Sequence, residues 1–108
     1  MPKRNDVESS IVDKASAYRF KYETTNADFG VWHVNTGEGL SPHDHEYEHA
    51  VACTAGKIAI RKENLYKEMT KDSPPVILKA NDWHSLEALE DNTTFINIYP
   101  LNYTSGEV

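Results

Sequence analysis

Three of the five histidines, His43, His45 and His49, fall within seven positions in the run SPHDHEYEHA, and a fourth, His84, follows far downstream in NDWHSLEA. Side chains of a strand alternate between its two faces, so residues of equal parity point the same way. His43, His45 and His49 share parity, and an extended chain aims all three imidazoles at one side of a sheet. A helix suits the run badly, because residues two apart lie on different sides of it and Pro42 directly precedes the cluster. Imidazole nitrogen is a good ligand for zinc, copper, iron and nickel, and several on one face enclose a metal ion. The feature asks for a metal site on a β-scaffold.

The remaining pattern supplies such a scaffold. Tyr18 to Glu23 alternates aromatic with charged residues, as a half-buried strand does. Phe29 to Val34 reads as a second strand, ended by the turn residues 35–39. Ala50 to Cys53 and Lys57 to Lys62 follow, separated by Ala55-Gly56. Residues 63–73 are charged and irregular, with a helical turn as the alternative, and they end at Pro74-Pro75. Val76 to Leu78, Trp83 to Leu89 (carrying His84) and Thr93 to Tyr99 complete the set. Seven or eight short strands between turn signals, with no convincing helix, predict an all-β sandwich or barrel.

With 108 residues the chain has room for one modest core. Residues 1–13 are polar and read as a loose arm, with a single domain over 14–108. The net charge of −6, with no basic run beyond Lys3-Arg4, argues against nucleic acid or an anionic membrane as partner. No apolar stretch approaches the ~18 residues of a membrane span, and the expected location is the cytoplasm. The single cysteine, Cys53, rules out an intrachain disulfide and reads as a small buried residue. Its parity matches that of His45 and His49, which leaves open a place along the same cavity.

The histidine segment resembles the first motif of the cupin family: Gly, five residues, His-X-His, three or four residues, usually Glu, six residues, Gly. Gly37, His43-Asp44-His45, His49 and Gly56 keep every spacing, with His49 in place of the usual carboxylate. Lys79-Ala80-Asn81-Asp82-Trp83-His84 resembles the second motif, roughly Pro-X-Gly-X-X-His with a later Asn. It keeps the histidine, while Lys79, Asn81 and Ala88 replace the proline, glycine and asparagine. Asn81 is a tolerable stand-in for glycine, because Asn adopts the left-handed turn conformation most readily after Gly. The resemblance implies an antiparallel jelly-roll β-barrel with His43, His45, His49 and His84 as ligands of one ion near a mouth of the barrel. It also implies a homodimer, formed through sheet edges.

Four neutral imidazoles leave the charge of a divalent ion uncompensated and favour a small anionic metabolite at an open position. Iron or nickel ranks first, then zinc, manganese and copper; a tetrahedral zinc held by all four would be closed and structural. Tyr99 and Tyr47 are the candidate acid–base residues, since a tyrosine beside a metal loses its proton more easily. His33 reads as an ordinary strand residue. Glu46, Glu48 and Glu87 have the opposite parity and face outward, whereas Trp32, Trp83 and Phe95 belong to the core. The resemblance implies a dioxygenase, lyase or isomerase type of enzyme, the alternative being a non-catalytic metal- or metabolite-sensing module.

Overall fold

Period-two burial runs through the longest strands and decides which faces meet. In β10 (Thr93–Tyr99) every second residue from Thr93 is buried, and in β5 (His49–Ala55) the buried set is His49, Val51 and Cys53. The computed structural model describes residues 10–22, 27–46, 48–62 and 64–99, and within them the regular elements are all strands. Besides β5 and β10 these are β1 (Val12–Asp13), β2 (Tyr18–Tyr22), β3 (Ala27–Val34), β4 (Glu38–His43), β6 (Ile58–Lys62), β7 (Leu65–Met69), β8 (Val76–Leu78) and β9 (His84–Ala88). They form two five-stranded sheets, in the orders β1-β4-β9-β6-β7 and β2-β3-β10-β5-β8. Every described pair is antiparallel except β1 with β4.

The two sheets share one core. Trp32, Val51, Leu78 and Phe95 come from one sheet and Ile58, Ile60, Met69 and Leu86 from the other, all in a single buried cluster. Trp32 and Phe95 stack with centroids 5.3 Å apart and planes within 4°. The Trp32 indole donates to the Lys14 carbonyl at 2.9 Å, which ties the segment before β2 to the core. The all-β jelly roll expected from the sequence is therefore present, as two sheets sealed by apolar packing rather than by one continuous ladder.

Three boundaries differ from the sequence reading. Residues 65–69, read as irregular or as a helical turn, form β7, reached through Asn64 in the left-handed conformation (φ 68°). Only Met69 of β7 is buried; an edge strand with charge on both faces has no apolar alternation to read. β4 begins at Glu38, inside what reads as a turn, because Gly39 packs against Leu86 so closely that a Cβ there would overlap its carbonyl. Val12 and Asp13, the end of the expected arm, pair with Glu38 and Gly39. The preceding residues 1–9 lie outside the described ones.

Gly37 and Gly56 bracket the histidine segment, and both have positive φ (86° and 72°). A Cβ on Gly37 would meet open space, whereas one on Gly56 would lie 2.8 Å from Thr93 Cα. Gly37→Ala is expected to cost about 1 kcal/mol, the left-handed penalty alone. Gly56→Ala should cost at least about 1 kcal/mol more, because backbone has to move as well. Urea unfolding of the two variants at neutral pH checks the order.

Candidate metal centre

The three clustered histidines do not share a strand. His43 ends β4, His45 lies in the following loop and His49 begins β5 in the opposite sheet. They converge because the chain crosses from one sheet to the other between them, and not because one strand aims all three at the same side. Parity within β4 fails for His43 in particular. Leu40 packs against the core and pairs with Leu86, yet His43, of opposite parity, pairs with His84. Two residues, Ser41 and Pro42, oppose only Ser85 across that interval, which makes a β-bulge. The extra residue turns His43 inward. Pro42 has no N–H to give to the ladder, which suits it to that position.

His84 is fully buried on the same face of β9 as Leu86 and Ala88. The turn before it contains Asn81 with φ 66°, the left-handed conformation expected for the residue standing in for glycine. The Asn81 N–H donates to the His45 carbonyl at 2.6 Å, which fastens the two histidine segments to each other. Ring centroids of His43 and His84 are 4.5 Å apart, those of His45 and His84 5.1 Å, and those of His43 and His45 5.3 Å. One ring nitrogen from each of these three lies within 4.8 Å of the others. That is near the roughly 4 Å across an ion ligated at about 2.1 Å. His49 approaches from the other sheet, 4.9 Å from His45 and 5.7 Å from His84 between centroids, and leans on Tyr99 at 5.3 Å.

Backbone carbonyls set the tautomers. His43 Nδ1 lies 2.7 Å from the Ser41 carbonyl and His84 Nδ1 2.9 Å from that of Asp82. His49 Nδ1 lies 3.3 Å from the Ala50 carbonyl. A carbonyl only accepts, so each Nδ1 carries the proton and each Nε2 presents a lone pair, the usual arrangement of a metal-ligating imidazole. His84 Nε2 is buried with no hydrogen-bond partner. Such an orphan is costly unless something fills it, and a divalent ion between the rings would do so. The donor set thus fits a transition metal. Ser41 is braced in turn: its N–H and hydroxyl donate to the Asp13 carboxylate at 2.6 and 2.9 Å.

Burial holds the inner imidazoles neutral. It pushes His84 down to about 3, helped by neighbouring His43, and His49 down to about 4 against the opposing pull of the Ala50 carbonyl. Both are then in the ligating form throughout the neutral range.

Tyr99 is buried beside His49, at the inward-facing position the sequence assigns it. Tyr47, the other candidate acid–base residue, lies outside the described residues. His33 is exposed on the outer surface, bonded to Thr94 Oγ1 at 2.9 Å. Cys53 shares the inner face of β5 but its thiol turns to the Ala55 and Gly56 carbonyls (3.3 and 3.7 Å), and burial pushes its pKa up. It is a core residue. Glu46 and Glu48 are exposed, and Glu87 faces outward to Arg61 at 2.7 Å.

A polar group near the histidines went unnoticed in the sequence. Asp28 and Asn97 are buried on the inner face beside Tyr99, and the Asn97 amide donates to the Tyr99 hydroxyl at 3.4 Å. The Arg19 guanidinium pairs with Asp28 at 3.1 Å and lies over the Tyr99 ring at 5.0 Å. It reaches there across Gly30, its ladder neighbour, where a Cβ would come within 3.2 Å of Arg19 Cδ and 2.7 Å of the Trp32 ring. The available signal was parity: Asn97 has that of Phe95 and Tyr99, a polar residue where an apolar one is expected.

Several solved structures with this architecture carry the cupin name. A cupin superfamily protein from Desulfitobacterium hafniense matches with TM-score 0.62 and 11% identity over 69% of this chain and 67% of that one. KdgF from a Halomonas species matches with TM-score 0.61 and 16% identity over 68% of each chain. A cupin-2 domain protein from Shewanella frigidimarina matches with TM-score 0.63 and 12% identity over 81% and 83%. No family sequence model matches the chain, and no curated protein matches it significantly in sequence. The fold is that of a small cupin domain, and its histidine cluster is suited to a metal ion.

The depressed pKa values predict how the metal-free protein responds to acid. The unfolded chain takes protons near the ordinary histidine value of 6.5, while His49 and His84 refuse them until about 4 and 3. The unfolded state therefore binds more protons in that window, and stability falls as pH drops from about 6.5 toward 4. Above pH 7 these two groups contribute no slope. Urea midpoints measured across this range should show the decline, and His49→Gln should remove roughly half of the slope due to the pair.

Proposed function

We propose that the chain is a mononuclear metal-binding cupin that works as a metal-dependent enzyme on a small anionic metabolite. His43, His45, His49 and His84 form the ligand set, with iron or nickel as the favoured ion. The observation that carries this reading is the buried, unbonded Nε2 of His84 within a group of imidazoles whose Nδ1 atoms are tied to backbone. Four neutral ligands leave the ion's positive charge whole, which favours an anion beside it. A divalent ion held there would polarise a bound oxygen and stabilise negative charge on it.

The protein's own groups supply orientation and proton transfer. Arg19, half-exposed over the Tyr99 ring, offers guanidinium N–H groups to a carboxylate entering from solvent. Asp28 holds that guanidinium in place. Tyr99, whose oxygen accepts from Asn97, moves a proton to or from a ligand lying against His49.

Metal content of protein purified without added metal tests the ligand set. His84→Ala and His43→Ala should lose the ion, with affinity falling by more than the ~10–100-fold typical of a lost outer-shell partner. His49→Ala should also lose it; an unchanged content would remove His49 from the set. With cobalt substituted, a small carboxylate or azide should shift the visible spectrum, and Arg19→Ala should weaken the carboxylate's effect roughly tenfold without changing metal content. Tyr99→Phe should keep both metal and carboxylate binding while abolishing turnover. A closed tetrahedral zinc insensitive to added anions would instead leave a structural metal and no enzyme.

A further inference from the structure

The bulge that turns His43 inward is held by a neighbouring strand. β1 pairs with β4 only through Val12–Glu38 and Asp13–Gly39, and the Val12 and Lys14 N–H groups donate to the Gly37 and Gly39 carbonyls at 2.9 and 3.0 Å. The ladder stops there, and the Lys14 carbonyl accepts from the Trp32 indole at 2.9 Å. At Ser41 side chains take over. Its N–H and hydroxyl both donate to the Asp13 carboxylate, at 2.6 and 2.9 Å, and its carbonyl accepts from His43 Nδ1 at 2.7 Å. Bonds to a charged acceptor are stronger than those between neutral groups. Pro42 follows, its φ fixed at about −65° by the ring. The Ser41 carbonyl therefore sits between two restraints, Asp13 before it and the proline ring after it. The other Nδ1 partners are placed by local backbone. Ala50 directly follows His49 in β5, and the turn carrying Asp82 is closed by its own N–H on the Lys79 carbonyl at 3.3 Å. His43 takes its carbonyl from a bulge, where the ladder does not fix it.

We infer that Asp13 is a positioning residue for the metal centre: through Ser41 it aims the His43 imidazole, so that β1, at the outer edge of its sheet, sets how tightly an ion is held. The inference rests on the reading of His43 as a ligand. A fixed acceptor on Nδ1 directs the lone pair of Nε2, and losing such an outer partner lowers metal affinity roughly 10–100-fold. Without Asp13, the Ser41 N–H and hydroxyl turn to water, the bulge regains freedom, and His43 has to be ordered at the moment the ion binds. A negative charge also attracts a cation through space. Asparagine separates the two effects, because its Oδ1 accepts from the Ser41 N–H and its Nδ2 donates to Ser41 Oγ with no charge present.

Cobalt(II) binding to the full chain, followed by its visible spectrum against a competing chelator, tests this. Asp13→Ala should weaken cobalt about tenfold, the lower end of that range, and Asp13→Asn should retain most of the affinity. Glu38→Ala releases Lys14 Nζ (3.9 Å) and the Asn35 N–H (2.8 Å) beside the same strand pair. It should lower the urea midpoint as Asp13→Ala does and leave cobalt affinity unchanged. In metal-free protein at about pH 8, where imidazole is neutral, ring nitrogen NMR shifts of His43 should report the Nδ1–H tautomer in the wild type and a mixture in Asp13→Ala. Equal affinity or an unchanged tautomer in Asp13→Ala would overturn the inference. A loss in Asp13→Asn as large as in Asp13→Ala would overturn it in favour of charge alone. An equal loss in Glu38→Ala would do so by reducing Asp13 to a fastener of the strand. A wild-type chain that takes up no cobalt would remove the metal reading itself, and this inference with it.

Discussion

Apolar packing between two sheets sets the spacing on which the rest of the molecule depends. Facing sheets lie about 10 Å apart when side chains fill the gap. Imidazoles projecting from opposite walls then meet near the middle. His84 and His43 come from one wall and His49 from the other, while His45 lies on the loop that joins them. Ile58, Ile60, Leu86, Phe95 and Trp32 fill the gap farther in, where no polar group is needed. The cluster of ring nitrogens is thus a consequence of wall separation and crossing point. Loosening the core would spread the rings as surely as removing one.

Much of this was legible in the chain. The spacing Gly37, His43, His45, His49, Gly56 points to the two turns and to the residues that converge, and Asn81 was legible as a glycine substitute because so few side chains accept a positive φ. Strands β2 and β6 follow from alternation, and β3, β5 and β10 from runs bounded by turn residues. What escaped has a common cause, namely that period-two logic assumes an unbroken ladder buried on one side. The bulge at Ser41-Pro42 breaks the ladder, and β7 has almost no buried side. Leu40 and His43 could have exposed the bulge beforehand, since an apolar residue and a ligand of opposite parity cannot both face inward on a regular strand.

Arg19, Asp28 and Asn97 escaped for a different reason. Each sits in a strand whose pattern looks ordinary, and only the ladder shows that Arg19, Gly30 and Asn97 form one row across three strands. A glycine in the middle of such a row opens a channel over which a long side chain can lie. Gly30 therefore acts through absence: its missing Cβ lets the Arg19 guanidinium reach the Tyr99 ring. Sequence alone would score that glycine as a weakness in a strand.

Histidine at position 49, where a carboxylate is usual in the resembled motif, changes the electrostatics more than the geometry. A carboxylate there would repel an incoming anion and would make the net charge of a loaded site one unit less positive. It would also have to be buried ionised, at a cost that only the metal could offset. Neutral imidazole avoids that cost in the metal-free protein, which is consistent with His49 being only 2% exposed and holding no proton until about pH 4. On the proposed ligand set, the exchange would give a fold that tolerates the empty site better and a more positive centre with an ion bound. Glu46 and Glu48 face solvent around the loop, and the Arg19 guanidinium, paired with Asp28, lies over the Tyr99 ring.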